Sequence, residues 1–232
     1  MSNIYLITGD RKGIGRSLTE YYLSLGEKVI GCSRTGSDLK HKNYEHLICD
    51  VGDENSVKSL ISLIRKKHQR IDVLINNAGM ASMNHILTTP VSTFDKLVHT
   101  NLKGTFLFTR EASKIMRKNG GSIINFSTVA SPLNLEGEAI YASTKAAVEK
   151  LTKISAHELS TFKIRVNCIG PTPVYTDLIK AVPKNKIEEL LSRQAIKRLG
   201  TFEDIKNVVD FFSSEKSNFI TGQIIYLGGV QN

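Results

Sequence analysis

Apolar residues along this chain follow two alternating rhythms. Short continuous runs, Ile4 to Ile7, Lys28 to Cys32, Leu47 to Cys49, Val73 to Ile75, Ser122 to Phe126, Lys163 to Ile169 and Gln223 to Leu227, read as strands. Between them apolar positions recur every three or four residues. Ile14, Leu18, Tyr21 or Tyr22 and Leu25 form one such series, ended by Gly26. Val57, Leu60, Ile61 and Ile64 form the next, after an acidic start at Asp53. Helical patterns follow over about Val91 to Met116, Ala139 to Leu159, Ile187 to Arg193 and Phe202 to Phe212. Strands that are apolar throughout need cover on both faces, and the helices between them supply it. The predicted architecture is α/β: one doubly wound Rossmann domain over residues 1–232, with a parallel seven-stranded sheet. Its ligand is expected outside the carboxyl ends of the strands. Polar, proline-containing sequence runs from Pro171 to Asn185, and a substrate lid is expected over about 177–197.

Composition narrows the function. With 232 residues, 41% hydrophobic and 23% charged, the chain can bury a substantial core, which excludes wholesale disorder. No apolar run approaches the ~20 residues of a membrane span. No basic leader with a long apolar stretch follows Met1, so no secretory signal is expected. The net charge is +9, but the basic residues are scattered, and Arg65-Lys66-Lys67 and Arg117-Lys118 are the only dense runs. Nucleic-acid binding requires clustering, so it is not expected. Cys32, Cys49 and Cys168 are far apart and odd in number, which predicts buried free thiols in a reducing, cytoplasmic setting. The six histidines show no metal-ligand spacing, and no metal site is expected.

The chemistry lies in the connections. Directly after the first strand comes Thr8-Gly9-Asp10-Arg11-Lys12-Gly13-Ile14-Gly15. Glycines there allow a tight turn and close approach of a pyrophosphate, and the following helix offers free N–H groups with a positive dipole end. The strand–turn–helix context makes this a cofactor loop rather than a bare glycine turn. Near the end of the second strand stand Cys32, Ser33 and Arg34, with no acid to bind the adenosine ribose hydroxyls. Arg34 can stack on adenine and pair with a 2′-phosphate, and Arg11 and Lys12 add positive charge. NADP(H) is therefore expected in preference to NAD(H). Asp38, the nearest acid, lies beyond the expected strand end.

These residues resemble the classical short-chain dehydrogenase/reductase family, and the resemblance covers essentially the whole chain. The TGxxxGxG loop, Asp50-Val51, Asn76-Asn77-Ala78-Gly79, Asn101, Tyr141-Ala142-Ser143-Thr144-Lys145 and Phe219-Ile220-Thr221-Gly222-Gln223 with Gly228-Gly229 carry it. The resemblance implies an oxidoreductase that interconverts a carbonyl and a secondary alcohol by hydride transfer. It implies Tyr141 as acid/base, Lys145 holding the nicotinamide ribose and lowering the Tyr141 pKa, and Asn101 keeping a water in the proton relay. Cofactor contacts are implied at Gly9, Arg11, Lys12, Gly13, Ile14, Gly15, Arg34, Asp50, Val51, Asn76, Ala78, Gly79, Pro171, Val174 and Thr176, besides Tyr141 and Lys145. The substrate is a small carbonyl or alcohol compound, free or carrier-bound, since family members resembling this chain include 3-oxoacyl carrier-protein reductases. A homotetramer is expected, with Phe106, Phe108 and Val148 as candidate contact residues.

Two positions depart from the family pattern. The usual serine thirteen residues before the tyrosine is Thr128, which keeps a hydroxyl donor. Ser127 or Ser131 could serve instead after a backbone shift, or the site could be degraded. Thr172 replaces the usual glycine after Pro171. These departures leave open the alternative of a dinucleotide-binding sensor or scaffold without turnover. A sugar-nucleotide epimerase or dehydratase also uses YxxxK, but little chain remains here for a separate substrate domain.

Overall fold

The computed structural model describes residues 2–175 and 182–230. Seven strands, β1 (Ile4–Thr8), β2 (Lys28–Ser33), β3 (Tyr44–Ile48), β4 (Val73–Asn76), β5 (Gly121–Phe126), β6 (Ile164–Gly170) and β7 (Ile224–Tyr226), pair in parallel. Their order is β3-β2-β1-β4-β5-β6-β7. The eight α-helices of the described residues are α1 (Gly13–Ser24), α2 (Glu54–His68), α3 (Val91–Leu97), α4 (Gly104–Met116), α5 (Ala130–Leu133), α6 (Ala139–Glu158), α7 (Lys184–Arg193) and α8 (Phe202–Ser213).

Alternation along each strand feeds two cores, because successive side chains point to opposite faces. Ile4 and Leu6 pack with Val57 and Leu60 of α2 and with Phe108 of α4. Tyr5 and Ile7 pack with Leu18 and Tyr22 of α1 and with Val209 and Phe212 of α8. Strand order reverses between β1 and β4, so the connections leaving their carboxyl ends part and open a crevice. The doubly wound sheet expected from the sequence is present.

Two boundaries differ from expectation. Strand β3 begins at Tyr44 and ends at Ile48, rather than covering Leu47 to Cys49. Its first half carries Tyr44, Glu45 and His46, whose polar groups are satisfied in the fold, so no apolar run marks it. The single helix expected from Val91 to Met116 is interrupted by a π-helical stretch, Val98–Lys103, between α3 and α4. Such insertions often mark functional sites. Of the three residues expected at a subunit contact, Phe108 and Val148 are fully buried within the chain, while Phe106 is 41% exposed. The three cysteines are buried and free.

Candidate active site

The connections after β1, β2, β3, β4, β5 and β6 line two cavities of about 810 Å³ and about 420 Å³. Gly9, Lys12, Ala78, Gly79 and Met80 line both, so the two form one elongated cleft. At its centre the glycine loop turns with positive φ at Gly9 (71°) and Gly13 (52°). A Cβ on Gly15 would lie 2.3 Å from the Gly9 carbonyl oxygen, so only glycine lets the helix start this close to the turn. Lys12, at the N-cap of α1, makes no side-chain cap bond. The first N–H groups of α1 are therefore uncapped by that side chain beside the cleft. The Asn77 side chain donates to the Thr8 carbonyl at 2.9 Å, and the Ala78 N–H donates to Thr8 Oγ1 at 2.9 Å. These bonds fasten the loop after β4 to the glycine loop.

The larger cavity contains Arg11, Arg34, Asp50 and Val51. Arg34 is exposed and enters no ion pair among the described residues. Asp38 is occupied elsewhere: Arg16 holds it at 2.6 Å and keeps its carboxyl below the ordinary value. Burial works against ionisation of Asp50. Even so, the Gly52 N–H at 3.0 Å and His99 at 3.1 Å, with the Arg34 charge, hold its carboxyl below the usual range. A cradle without Cβ, an uncapped helix start and an unpaired arginine fit a phosphate-bearing dinucleotide.

The smaller cavity is lined by Thr128, Tyr141 and Lys145. Tyr141 and Lys145 share one face of α6, as their spacing requires. Thr128 lines the same cavity, and its hydroxyl acts on the Tyr141 phenol to lower its pKa against burial. Its Oγ1 also accepts from the Ala130 N–H at 3.2 Å. Ser127, by contrast, donates to the buried Glu149. The hydroxyl that acts on the tyrosine is therefore that of Thr128. Burial, joined by the nearby Glu138, pushes Tyr141 up to about 12. Burial lowers Lys145 to about 8, and its Nζ donates to the Phe126 carbonyl at 2.7 Å. The expected lowering of the Tyr141 pKa by Lys145 is not found. Burial of the phenol dominates, and the ammonium is engaged by the end of β5.

Asn101 lies in the π-helical stretch and is fully buried. Its Oδ1 accepts from the Met80 N–H at 2.9 Å, and its Nδ2 donates to the Met80 carbonyl at 3.0 Å and to Thr144 Oγ1 at 3.1 Å. The side chain thus pins the loop after β4 to α6 instead of reaching into the cleft. Asn76 is likewise turned away: its Nδ2 donates to Thr109 and Asn125, and it lines neither cavity. Asn77 lines the cleft in its place. Gly13, Ile14, Pro171 and Val174 line the smaller cavity. Thr172 is buried and hydrogen-bonded to Gln194, so the departure from glycine has its own partner. Thr176 lies outside the described residues, as do 177–181 of the expected lid. The remainder of that stretch contributes Ile187 and Leu190 of α7 to the cavity wall. Met80, Met83 and Glu138 also line this wall and were not anticipated. The YxxxK register could have flagged Glu138, three residues before Tyr141.

A glycine cradle at the switch point of a parallel sheet, opening onto a half-buried tyrosine with a lysine one turn on, defines a dinucleotide-binding oxidoreductase of the short-chain dehydrogenase/reductase class. The chain belongs to that family: residues 9–230 match the family model described as enoyl-(acyl carrier protein) reductase. The 3-oxoacyl-[acyl-carrier-protein] reductase FabG of Staphylococcus aureus (strain Mu50) is 33% identical over 243 residues, covering 99% of this chain and 98% of that protein. Among solved structures, ElxO with NADP bound matches with a TM-score of 0.89 and 32% identity, over 98% of this chain and 97% of that one. The ligand-free aldohexose dehydrogenase of Thermoplasma acidophilum matches with a TM-score of 0.88 and 29% identity, over 99% and 94%.

Proposed function

We propose that this chain is an NADP(H)-dependent oxidoreductase that interconverts a carbonyl and a secondary alcohol. The placement of Thr128, Tyr141 and Lys145 on one cavity continuous with the Arg34 cleft carries this reading. NADPH, when bound, supplies the hydride. Gly9, Gly13 and the start of α1 receive its pyrophosphate, and Arg34 with Arg11 receives the 2′-phosphate. Lys145 holds the nicotinamide ribose. Thr128 donates a hydrogen bond to the substrate oxygen, and Tyr141 delivers the proton as negative charge develops there. A tyrosine held protonated by burial is suited to act as an acid, which favours the direction of carbonyl reduction. The relatives' names, a carrier-protein reductase and an aldohexose dehydrogenase, support a carbonyl or alcohol substrate, free or carrier-bound. Phe106 on α4 and Ile154 on α6, both partly exposed, support a symmetric homotetramer.

The test is NADPH oxidation by the purified chain across a panel of ketones and aldehydes. Turnover that falls by at least about 10² in Tyr141→Phe supports the reading. NADPH binding without turnover of any carbonyl would replace it with a sensor. A stable monomer in light scattering would remove the tetramer.

A further inference from the structure

Glu138 occupies the N-cap of α6 and lines the smaller cavity with Tyr141. An N-cap side chain ordinarily turns back to accept from the first N–H groups of its helix. Glu138 makes no such bond, and its Oε2 is buried without a hydrogen-bond partner. No described cation is paired with it. Lys186 of α7, on the same cavity wall, is held by Glu136 and Glu189 at 3.3 Å each. Lys145 is turned to the Phe126 carbonyl. Much of the surrounding wall is apolar, with Met80, Met83, Leu135 and Leu190. An unpaired carboxyl in such a wall is costly, and burial raises it to about 7. A pocket for a plain hydrocarbon ketone gains nothing from it.

We infer that Glu138 selects the substrate: its carboxylate accepts a hydrogen bond from a hydroxyl on a carbon close to the reacting carbonyl, so the site takes hydroxy-carbonyl compounds. The inference rests on Tyr141 being the group that meets the carbonyl oxygen. Glu138 and Tyr141 line one cavity, three residues apart, and the Glu138 charge acts on the phenol. One small molecule can therefore touch both groups. The carboxyl needs only a turn about its last bond, a torsion with broad freedom. A hydroxyl is favoured over an ammonium because Lys12, Lys145 and Lys186 already line the cavity.

The experiment compares hydroxyacetone with butanone, which places a methyl where the hydroxyl stands. Initial rates with NADPH give kcat/KM for each, in the parent and in Glu138→Leu and Glu138→Gln. The parent's preference for hydroxyacetone, the ratio of its kcat/KM to that for butanone, should fall at least about tenfold in Glu138→Leu. In the parent that preference should rise from about pH 6 to about pH 8 as the carboxyl ionises. The charged and titratable groups facing the same cavity are Tyr141 and Lys145 on α6, Lys186 and Glu189 on α7, Glu136 before α6, and Lys12 in the glycine loop. Their titration acts on both ketones alike, so the ratio isolates Glu138. Glu138→Gln, nearly isosteric, should give a ratio independent of pH, which keeps the test decisive if the leucine variant does not fold. A preference unchanged in Glu138→Leu, or the pH trend persisting in Glu138→Gln, overturns the inference and leaves the oxidoreductase reading standing. Failure to turn over any carbonyl overturns that reading and this inference with it.

Discussion

His46 Nδ1 lies 2.9 Å from Asp10 Oδ2, and its Nε2 lies 2.9 Å from the Thr35 carbonyl oxygen. Asp10 also accepts from the Tyr44 hydroxyl. One imidazole therefore ties the glycine loop to the turn after β2 that carries Arg34. The contact is close enough that a Cβ on Gly31 would overlap the Asp10 carboxylate. Replacing Asp10 by Ala removes one of two partners from both the Tyr44 hydroxyl and His46 Nδ1. Asp10→Ala should lower unfolding stability by about 1–3 kcal/mol in urea titrations. Tyr44→Phe, which removes the hydroxyl's bonds to Asp10 and His46 and keeps the ring, should cost about 1–2 kcal/mol.

Cofactor preference follows from Arg34 being unpaired and Asp38 being held by Arg16. NADPH should bind at least about tenfold more tightly than NADH, equivalent to about 1.4 kcal/mol. Arg34→Ala should remove most of that difference while changing NADH affinity by less than about twofold. Fluorescence titration of both cofactors at one salt concentration checks it. Equal affinities in the parent would show that Arg34 does not meet the 2′-phosphate.

Thr128 and Ser127 are adjacent in sequence but serve different neighbours. Thr128→Val should lower kcat/KM by roughly 10²–10³, the scale of one lost oxyanion donor, with NADPH affinity kept. Thr128→Ser should retain most activity. Ser127→Ala removes a partner of buried Glu149 and should act mainly on stability, by about 1–3 kcal/mol. The opposite pattern, with turnover lost in Ser127→Ala and kept in Thr128→Val, would assign the oxyanion contact to Ser127.

Lys145 should set activity against stability. Its pKa in the folded chain, about 8, lies below the ordinary 10.5 expected when unfolded. Between these values the unfolded state binds more protons, so stability rises with pH across the window. Below about pH 8 both states are protonated, and the cost of burying the charge is fully present. Lys145→Met should therefore be more stable than the parent at pH 7, by up to about 3 kcal/mol, and lose that advantage towards pH 10. Its turnover should fall at least about 10²-fold. Chemical denaturation at several pH values, with assays at pH 7, checks both.

The hydrophobic rhythm determined the doubly wound sheet, because strands buried on both faces must be apolar throughout and their helices must carry one apolar stripe. Gly9, Gly13 and Gly15 were legible as a cofactor loop for a similar reason: a close backbone approach admits no Cβ, and that requirement is local. Tyr141 and Lys145 were legible because a spacing of four fixes a shared helix face. What the sequence could not specify were partners chosen across the fold. The start of β3 was hidden because Tyr44 and His46 are polar residues that find Asp10 thirty-odd positions away. Asn76 and Asn77 read alike in sequence, but strand alternation sends one toward α4 and the other to the cleft. The turn of Lys145 toward the Phe126 carbonyl, the hydrogen bond of Thr172 with Gln194 and the unpaired Glu138 beside Tyr141 were likewise decided only by tertiary packing. Burial and hydrogen-bond satisfaction depend on which distant segments meet, whereas periodicity and backbone sterics act within a few residues.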